Sequence, residues 1–181
     1  MRASLPAAPP GVDPDAVLGV LGVAPLVQFV LRGADGAAQV TTDAWDVDRE
    51  EWFSTLAGPV DAGAWAHHEG GGNTWNRSCA ECHATEVRRG FDGERWSTTW
   101  GDHGVTCEAC HGAVEVTGEG HGPTPQRAAQ RGWEEVCDSC HTRRTALTEA
   151  YRPGEPFLDH FVPSLVDGVH LSVEGHGVDE V

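Results

Sequence analysis

The chain has 181 residues and a formal net charge of −16, and it contains 23 glycines, 11 prolines and no lysine. So many chain-breaking residues exclude an architecture of long helices or one broad sheet. The acidic balance argues against nucleic acid or an anionic membrane surface as partner, because both are bound through positive charge. The most apolar stretch, residues 12–31, is broken by acidic residues, prolines and glycines, so the sequence predicts no membrane span.

The N-terminal half predicts an arm followed by a small β structure. Residues 1–20 are predicted to form an extended N-terminal arm, and residues 21–181 a single domain. Residues 25–31 predict a strand, residues 33–36 a turn and residues 38–45 the partner strand. Asp48, followed by Glu51 three residues later, resembles a helix N-cap and predicts a short helix up to Leu56.

The second half predicts short helices between turns. Residues 74–85 predict a short helix, and Asp92-Gly93 predicts a tight hairpin. A second short element is predicted over residues 104–112. The longest helical stretch is predicted over residues 126–151, with a break near Gly132, and the tail from Pro153 onward is predicted to be irregular.

The cysteines carry the strongest chemical signal. All six lie in three identical Cys-x-x-Cys-His frames, which are Cys79/Cys82/His83, Cys107/Cys110/His111 and Cys137/Cys140/His141. This is the attachment motif of haem c. On a helical turn, residues at i and i+3 share a face, so both thiols reach one porphyrin edge while the adjacent histidine lies under the iron. The sequence therefore predicts three covalently attached haem c groups.

Two other uses of paired cysteines stay open at this point. Two Cys-x-x-Cys pairs about 20 residues apart make a common four-cysteine zinc site, but three pairs would strand one. Six cysteines could also form a disulfide framework. Neither alternative explains why a histidine follows every pair.

The second iron ligand is predicted by exclusion. Electron-transfer haems take His/Met or His/His ligand pairs. The only methionine is Met1, so the distal ligand is predicted to be histidine unless a site is open. Seven histidines lie outside the motifs: His67, His68, His103, His121, His160, His170 and His176. Bis-histidine ligation predicts lower potentials than His/Met ligation.

The motif spacing also predicts the fold class. The motifs begin at positions 79, 107 and 137, so little protein separates the predicted haems. We expect a small multihaem cytochrome c that is mostly irregular, with a short helix at each motif and one or two short β-hairpins. Its core is predicted to be built around the haems, because the chain itself supplies few large apolar residues.

The residues between the motifs resemble one known family. These residues are Gly22–Gln28, Ala44–Asp46, Glu51–Phe53, Thr74–Asn76, Cys79–Thr85, Gly104–Gly112 and Cys137–Arg143. Over about residues 20–181, the chain resembles the bacterial multihaem cytochromes related to the tetrahaem electron acceptor of hydroxylamine oxidation. Members of this cytochrome c-554-like family are often fused to tetratricopeptide repeats.

The resemblance implies both a function and ligand residues. It implies periplasmic or extracellular electron transfer through closely packed bis-histidine haems, with His67 and His160 as distal ligands. It also points to His121, which lies further beyond the second motif than the family's histidine. Relatives usually carry further haem motifs at both ends, so we expect either a natural three-haem form or one piece of a longer protein. No signal peptide pattern is visible.

Three functional hypotheses follow. The first is an electron carrier whose partners are redox proteins. The second is a subunit of a larger assembly or filament, in which other cytochrome chains or copies of this chain are the partners. The third is a multihaem oxidoreductase with one open haem, which would need an iron without a distal histidine.

Overall fold

The computed structural model describes residues 6–9, 11–112, 134–149 and 151–164, and it divides into two compact units. Unit 1 is drawn from Met1–His83 and Arg89–Thr99, and unit 2 from Ala84–Arg88 and Trp100–Val181. The first haem motif lies in unit 1, and the second and third lie in unit 2. The single trihaem domain over residues 21–181 stays a prediction.

Unit 1 contains a five-stranded antiparallel sheet. The strands are β1 (Val17–Leu21), β2 (Leu26–Arg32), β3 (Ala38–Val40), β4 (Asp43–Asp46) and β5 (Glu51–Ser54). Their order is β1-β2-β4-β5, and β3 also pairs with β2. The apolar core lies mainly under β2, whose buried residues alternate with more exposed ones at the start of the strand.

The predicted strand over residues 25–31 is confirmed as β2, and its partner is confirmed in two pieces, β3 and β4. Thr41 and Thr42 separate these two strands. The Thr41 hydroxyl accepts a hydrogen bond from the Phe29 N–H at 3.1 Å and donates one to the Asp43 carbonyl at 2.8 Å. The turn between β2 and β3 needs a glycine at position 36, because the φ of Gly36 is +75° and a Cβ there would meet the Trp96 carbonyl oxygen.

The predicted helix from Asp48 to Leu56 is wrong, because residues Glu51–Ser54 form strand β5. The carboxylate that shapes this segment is that of Asp46 and not that of Asp48. It accepts hydrogen bonds from the N–H groups of Asp48 (3.0 Å) and Arg49 (2.9 Å). This Asx-type turn reverses the chain rather than opening a helix. It places Trp45 opposite Trp52, with ring centroids 5.5 Å apart in an edge-to-face contact.

The range predicted as an N-terminal arm also needs correction at its end. Residues Pro14–Ala16 form a 3-10 helix, capped by the Asp13 carboxylate, which accepts from the Asp15 N–H at 3.0 Å. Strand β1 begins at Val17 and pairs with β2. Residues 17–20 therefore belong to the sheet and not to an arm.

Short helices carry or adjoin each motif. They are α1 (Trp75–Ser78) and α2 (Ala80–His83) in unit 1, and α3 (Cys107–His111), α4 (Glu134–His141) and α5 (Phe157–His160) in unit 2. Unit 2 also has two small antiparallel pairs, β6 (Ala84–Thr85) with β7 (Asp102–His103), and β8 (Arg144–Ala146) with β9 (Phe161–Pro163). The predicted class of short helices with small antiparallel β elements is confirmed, and the haem-built core stays a prediction.

Two expectations for the C-terminal part were wrong where the structure describes it. The predicted helix over residues 126–151 ends at His141, because Arg144–Ala146 pairs with Phe161–Pro163 as β8 and β9. Residues 126–133 lie outside the described residues. The tail is not irregular over residues 157–163, which form α5 and β9.

The hairpin predicted at Asp92-Gly93 is present as a tight turn with one bridge, between Phe91 and Trp96. The Asp92 carboxylate accepts from the N–H groups of Glu94 (2.9 Å) and Arg95 (2.8 Å). These two bonds lower the pKa of Asp92 below its usual value. Across the described ranges, no helix is long and apolar enough to span a bilayer.

Candidate haem attachment sites

The first motif occupies one tight turn at the end of α1 and along α2. The Cys79 N–H donates to the Trp75 carbonyl at 3.1 Å, and the N–H groups of Cys82 and His83 both donate to the Cys79 carbonyl, at 3.1 and 2.9 Å. The two thiols therefore lie one helical turn apart, as thioether formation at one porphyrin edge requires. Trp75 is buried beside the motif, with its ring 6.3 Å from that of His83.

The buried amide of Asn76 fastens this turn to the rest of unit 1. Its Oδ1 accepts from the Ala38 N–H at 2.6 Å, and its Nδ2 donates to the Thr98 hydroxyl at 2.8 Å and to the Gly36 carbonyl at 3.3 Å. Asn76 is 3% exposed, so these bonds are shielded from water. One side chain thus links the first motif to the edge of β3 and to the segment that ends at Thr99.

The second motif lies on α3, which buries no residue of its own. The Thr85 hydroxyl accepts from the Thr106 N–H at 3.1 Å and donates to the Gly104 carbonyl at 2.8 Å, which holds the entry to the helix. The Thr106 hydroxyl donates to the Glu108 carboxylate at 2.7 Å, and this bond is the main cause that lowers the pKa of Glu108. Gly112, with φ +72°, ends the helix.

The third motif lies at the C-terminal end of α4, whose Val136 and Ser139 are buried. The Arg144 side chain folds back over this end. Its Nε donates to the Ser139 carbonyl at 2.5 Å, and its guanidinium lies 3.9 Å from the Phe161 ring centroid. The β8–β9 pair is therefore attached directly to the third motif.

None of the six cysteines, all of which the structure describes, forms a disulfide. Burial raises the pKa of Cys79 to about 11. Burial also raises the pKa of Cys110, and electrostatic repulsion from Cys137, Cys140 and Cys107 adds to this effect.

The four-thiolate zinc arrangement is not assembled by this geometry. The described residues include every cysteine, and among them the one group of three or more ligand atoms within 4.8 Å of each other is formed by His67, His68 and Glu69. The thiols of the second and third motifs form no such group. A tetrahedral zinc site requires four ligand atoms at about 2.0–2.3 Å from one ion.

His67 lies half-buried in the loop before α1, with its ring centroid 4.0 Å from that of His68. The His67 Nδ1 accepts from the Glu69 N–H at 3.3 Å. In a neutral imidazole the proton then resides on Nε2, so iron ligation through Nε2 would require this bond to be exchanged. His68 and Glu69 bring their ligand atoms within 4.8 Å of those of His67. The only sign of this group in the sequence is that the three residues are consecutive.

His160 lies at the end of α5 with both ring nitrogens engaged. Its Nδ1 is 2.6 Å from the Thr148 hydroxyl, and its Nε2 is 3.1 Å from a carboxylate oxygen of Glu155. A ligand role for His160 would exchange one of these partners for iron. His121 lies outside the described residues, and the distal roles of His67, His160 and His121 stay predictions.

The motif residues fit covalent haem. Each pair of thiols shares one helical turn with the histidine that follows it. Apolar side chains beside the second motif and beside His160 are exposed to solvent. Val105, Leu147 and Leu158 are 62%, 59% and 68% exposed, and they lie beside α3, Thr148 and His160 respectively. Exposed large apolar side chains beside the second motif and beside a predicted distal histidine suit a flat apolar group such as a porphyrin.

Comparisons with known proteins agree with this chemistry. Residues 59–112, which contain the first two motifs, match the family model described as cytochrome c554 and c-prime. No curated protein sequence matches the chain.

Two solved structures align with the chain. The crystal structure of the outer cell wall cytochrome OcwA aligns with a TM-score of 0.51 and 19% identity, over 84% of this chain and 34% of that one. An undecaheme cytochrome from the S-layer of Carboxydothermus ferrireducens aligns with a TM-score of 0.44 and 18% identity, over 81% and 23% of the two chains. This chain therefore spans about a third or less of the length of either structure. The predicted resemblance to the c554-related multihaem cytochromes is confirmed over residues 59–112 by the family match, and the likeness to OcwA shows a similar fold.

Proposed function

We propose that this chain is a trihaem c-type cytochrome that transfers electrons through closely packed, mainly bis-histidine haems. The observation that carries the proposal is the recurrence of a cysteine pair and an adjacent histidine on a helical turn at three places. Two of these turns lie within the residues that match the cytochrome family. When bound, haem supplies one-electron chemistry at its iron, and the protein sets its ligands and surroundings.

The residues that would hold the haems follow from this arrangement. Cys79 and Cys82, Cys107 and Cys110, and Cys137 and Cys140 would form the thioethers, and His83, His111 and His141 would be the proximal ligands. His67, His160 and His121 are proposed as distal ligands. The electrostatic effect of Cys137 and Cys140 on the Cys110 thiol supports close packing of the second and third haems.

The proposed setting is the periplasm or the cell exterior. The similar OcwA structure is that of an outer cell wall cytochrome, which supports this location for the present chain. The proposed partners are redox proteins, including other cytochrome chains or copies of this one. The net charge of −16 favours a basic docking surface on such a partner and disfavours nucleic acid.

Haem stoichiometry and spin state test the proposal together. We expect mass spectrometry of the intact protein to show three covalent haems, and the Cys137→Ala/Cys140→Ala double variant to show two. We expect electron paramagnetic resonance of the oxidised protein to show only low-spin iron. His160→Ala should convert about one third of the iron to high spin, whereas His103→Ala, a change at an exposed histidine, should convert none.

Other outcomes would replace the proposal. A mass without haem increments would remove it altogether. High-spin iron in the unaltered protein would instead favour the oxidoreductase with one open haem. A His160 ring that kept its bonds to Thr148 and Glu155 would leave one iron without its proposed distal ligand.

A role within a larger assembly is the second candidate, and the edge strand β1 favours it. Leu18 and Val20 on β1 are 40% and 39% exposed, and one backbone edge of this strand pairs with no other strand of the five-stranded sheet. Exposed apolar edge strands pair readily with another chain. Light scattering after size exclusion should show an oligomer of the haem-loaded chain that Val20→Lys dissociates, and a monomer in both cases would remove this candidate.

A further inference from the structure

A guanidinium lies beside the first haem motif in unit 1. Arg89 Nη2 is 2.7 Å from a carboxylate oxygen of Glu81, which is the residue immediately before Cys82. The two side chains are 23% and 20% exposed, so the ion pair is largely withdrawn from solvent. This contact uses one edge of the guanidinium only.

The Nε of Arg89 is buried and has no hydrogen-bond acceptor. Among the described residues, the Tyr151 hydroxyl is the one other buried side-chain atom in this condition. Arginine is charged at any physiological pH, and a buried charged donor without an acceptor is strongly unfavourable. Such an atom in a folded protein is accounted for by strain, by a bound water or by the acceptor of a bound group.

The position of Arg89 is fixed by the same network that fixes the first motif. The Thr98 hydroxyl donates to the Arg89 carbonyl at 2.6 Å, and Asn76 Nδ2 donates to the Thr98 hydroxyl at 2.8 Å. Asn76 lies three residues before Cys79. The backbone of Arg89 is therefore held to the helical turn that carries the thiols, and its side chain is held to Glu81 of that turn.

We infer that Arg89 binds a propionate carboxylate of the haem attached at Cys79 and Cys82, an inference that rests on the function proposed above. A haem carries two propionates, and arginine binds carboxylates through two parallel N–H donors. Nε and one hydrogen of Nη2 form such a donor pair, while the second hydrogen of Nη2 remains with Glu81. The acceptor that the buried Nε lacks within the protein is thus supplied by the group that the neighbouring thiols attach.

This contact has a consequence for the first haem. A positive charge held against the haem edge disfavours the oxidised iron, which carries one more positive charge than the reduced iron, so Arg89 raises the potential. Glu81 alone would lower it. The pair therefore tunes the first haem differently from the other two, whose motifs carry Ala109 and Ser139 at the position of Glu81.

Four single variants of the haem-loaded full chain test the inference. Arg89→Gln removes the charge and the donor pair, Arg89→Lys keeps the charge without the planar fork, and Glu81→Gln breaks the ion pair and leaves Nε untouched. Arg88→Gln is the matched control, because it removes the same charge from the adjacent, exposed arginine. Resonance Raman spectra report the propionate bending vibration, and a redox titration reports the potentials.

We expect Arg89→Gln to shift one component of the propionate bending band to lower frequency. It should also lower one potential, by a threefold to tenfold change in the oxidation equilibrium, which is about 30–60 mV at 59 mV per tenfold. Arg89→Lys should show the band shift with most of the potential retained, and it serves as the second variant if Arg89→Gln assembles poorly. Glu81→Gln should raise the potential without the band shift.

Two results would overturn the inference. In one, Arg89→Gln and Arg88→Gln are indistinguishable by both readouts. In the other, Glu81→Gln and Arg89→Gln give the same band shift, which would mean that Arg89 serves only to hold Glu81. Failure of the proposed function is a separate result, since mass spectrometry of the peptide with Cys79 and Cys82 would then show no haem at all.

Discussion

The sheet of residues 17–54 buries six apolar side chains, whereas α3, which carries the second motif, buries none. The six are Val27, Phe29, Val30, Ala38, Val40 and Ala44. The helices that carry the motifs are four to eight residues long. Helices of this length are not stable by themselves in water, so they depend on what packs against them. The sheet can be stabilised by its own side chains, and the motif helices need a further group.

The first and second motifs differ in a similar way. The turn of the first motif is fastened by Asn76, whose amide makes three hydrogen bonds to unit 1. The second motif is held mainly at its entry, by the Thr85 hydroxyl. The position of the first motif is therefore set largely by protein hydrogen bonds, whereas the second motif is expected to depend more on its covalent haem.

The largest effect is expected from removing haem attachment. Replacing all six cysteines by alanine should leave amide protection in β2 within about tenfold of that in the haem-loaded protein, because its core is made of side chains. Residues 107–111 and 134–141 should lose protection almost completely, since short helices without packing partners fray. Hydrogen exchange measured by mass spectrometry checks this, and equal loss in β2 would mean that the sheet also depends on haem.

Asn76→Ala tests the anchor of the first motif and should give the next largest effect. It leaves the Ala38 N–H without its acceptor and removes two further bonds, at a cost of about 2–4 kcal/mol in the free energy of unfolding. Ser78→Ala is the control in the same helix, since it removes an exposed hydroxyl and should cost less than about 1 kcal/mol. Equal urea midpoints for the two variants would refute the anchoring role.

Val27→Ala tests whether the sheet is stabilised independently of the motifs. Val27 is 1% exposed, and loss of two buried methyl groups should lower the free energy of unfolding by about 2 kcal/mol. The haem-to-protein ratio should not change. Val23→Ala is the matched control at a residue 73% exposed, and should be close to neutral in denaturant titrations. A fall in haem content in Val27→Ala would show that the two regions are not separable.

The smallest effect is expected at the Asp92 turn and depends on pH. Because hydrogen bonds hold the pKa of Asp92 below 3.8, its carboxylate stabilises the fold above that pH, and this contribution is lost as the pH falls through the folded value. Asp92→Asn should therefore be less stable than the unaltered chain at pH 6, with the difference shrinking below pH 3.8. Urea midpoints of the two chains measured at pH 6 and below pH 3.8 check this, and a difference that stays constant between the two conditions would contradict it.

Local signals in the sequence were sufficient for several elements. The three Cys-x-x-Cys-His frames predicted helical turns, and the apolar run at residues 25–31 predicted β2, because both patterns are satisfied by contacts within a few residues or by simple alternation. The chemistry of haem attachment was readable for the same reason. It needs only two thiols and a histidine at fixed spacing.

The elements that the sequence misassigned all depend on distant partners. Residues 51–54 carry helix-compatible residues, yet they form β5 because Trp52 packs on Trp45 across the sheet. Residues 144–146 leave the predicted helix because they pair with residues 161–163. Pairing energy between segments outweighs local propensity in both cases.

The sequence by itself determined where haem can attach and how many attachment motifs there are. Only the tertiary structure decided which neighbours those motifs receive: Asn76 and Arg89 beside the first, the Thr85 hydroxyl at the second, Arg144 at the third. Spacing along the chain specifies a covalent reaction, whereas hydrogen bonds and ion pairs between segments far apart in sequence depend on the fold that brings them together.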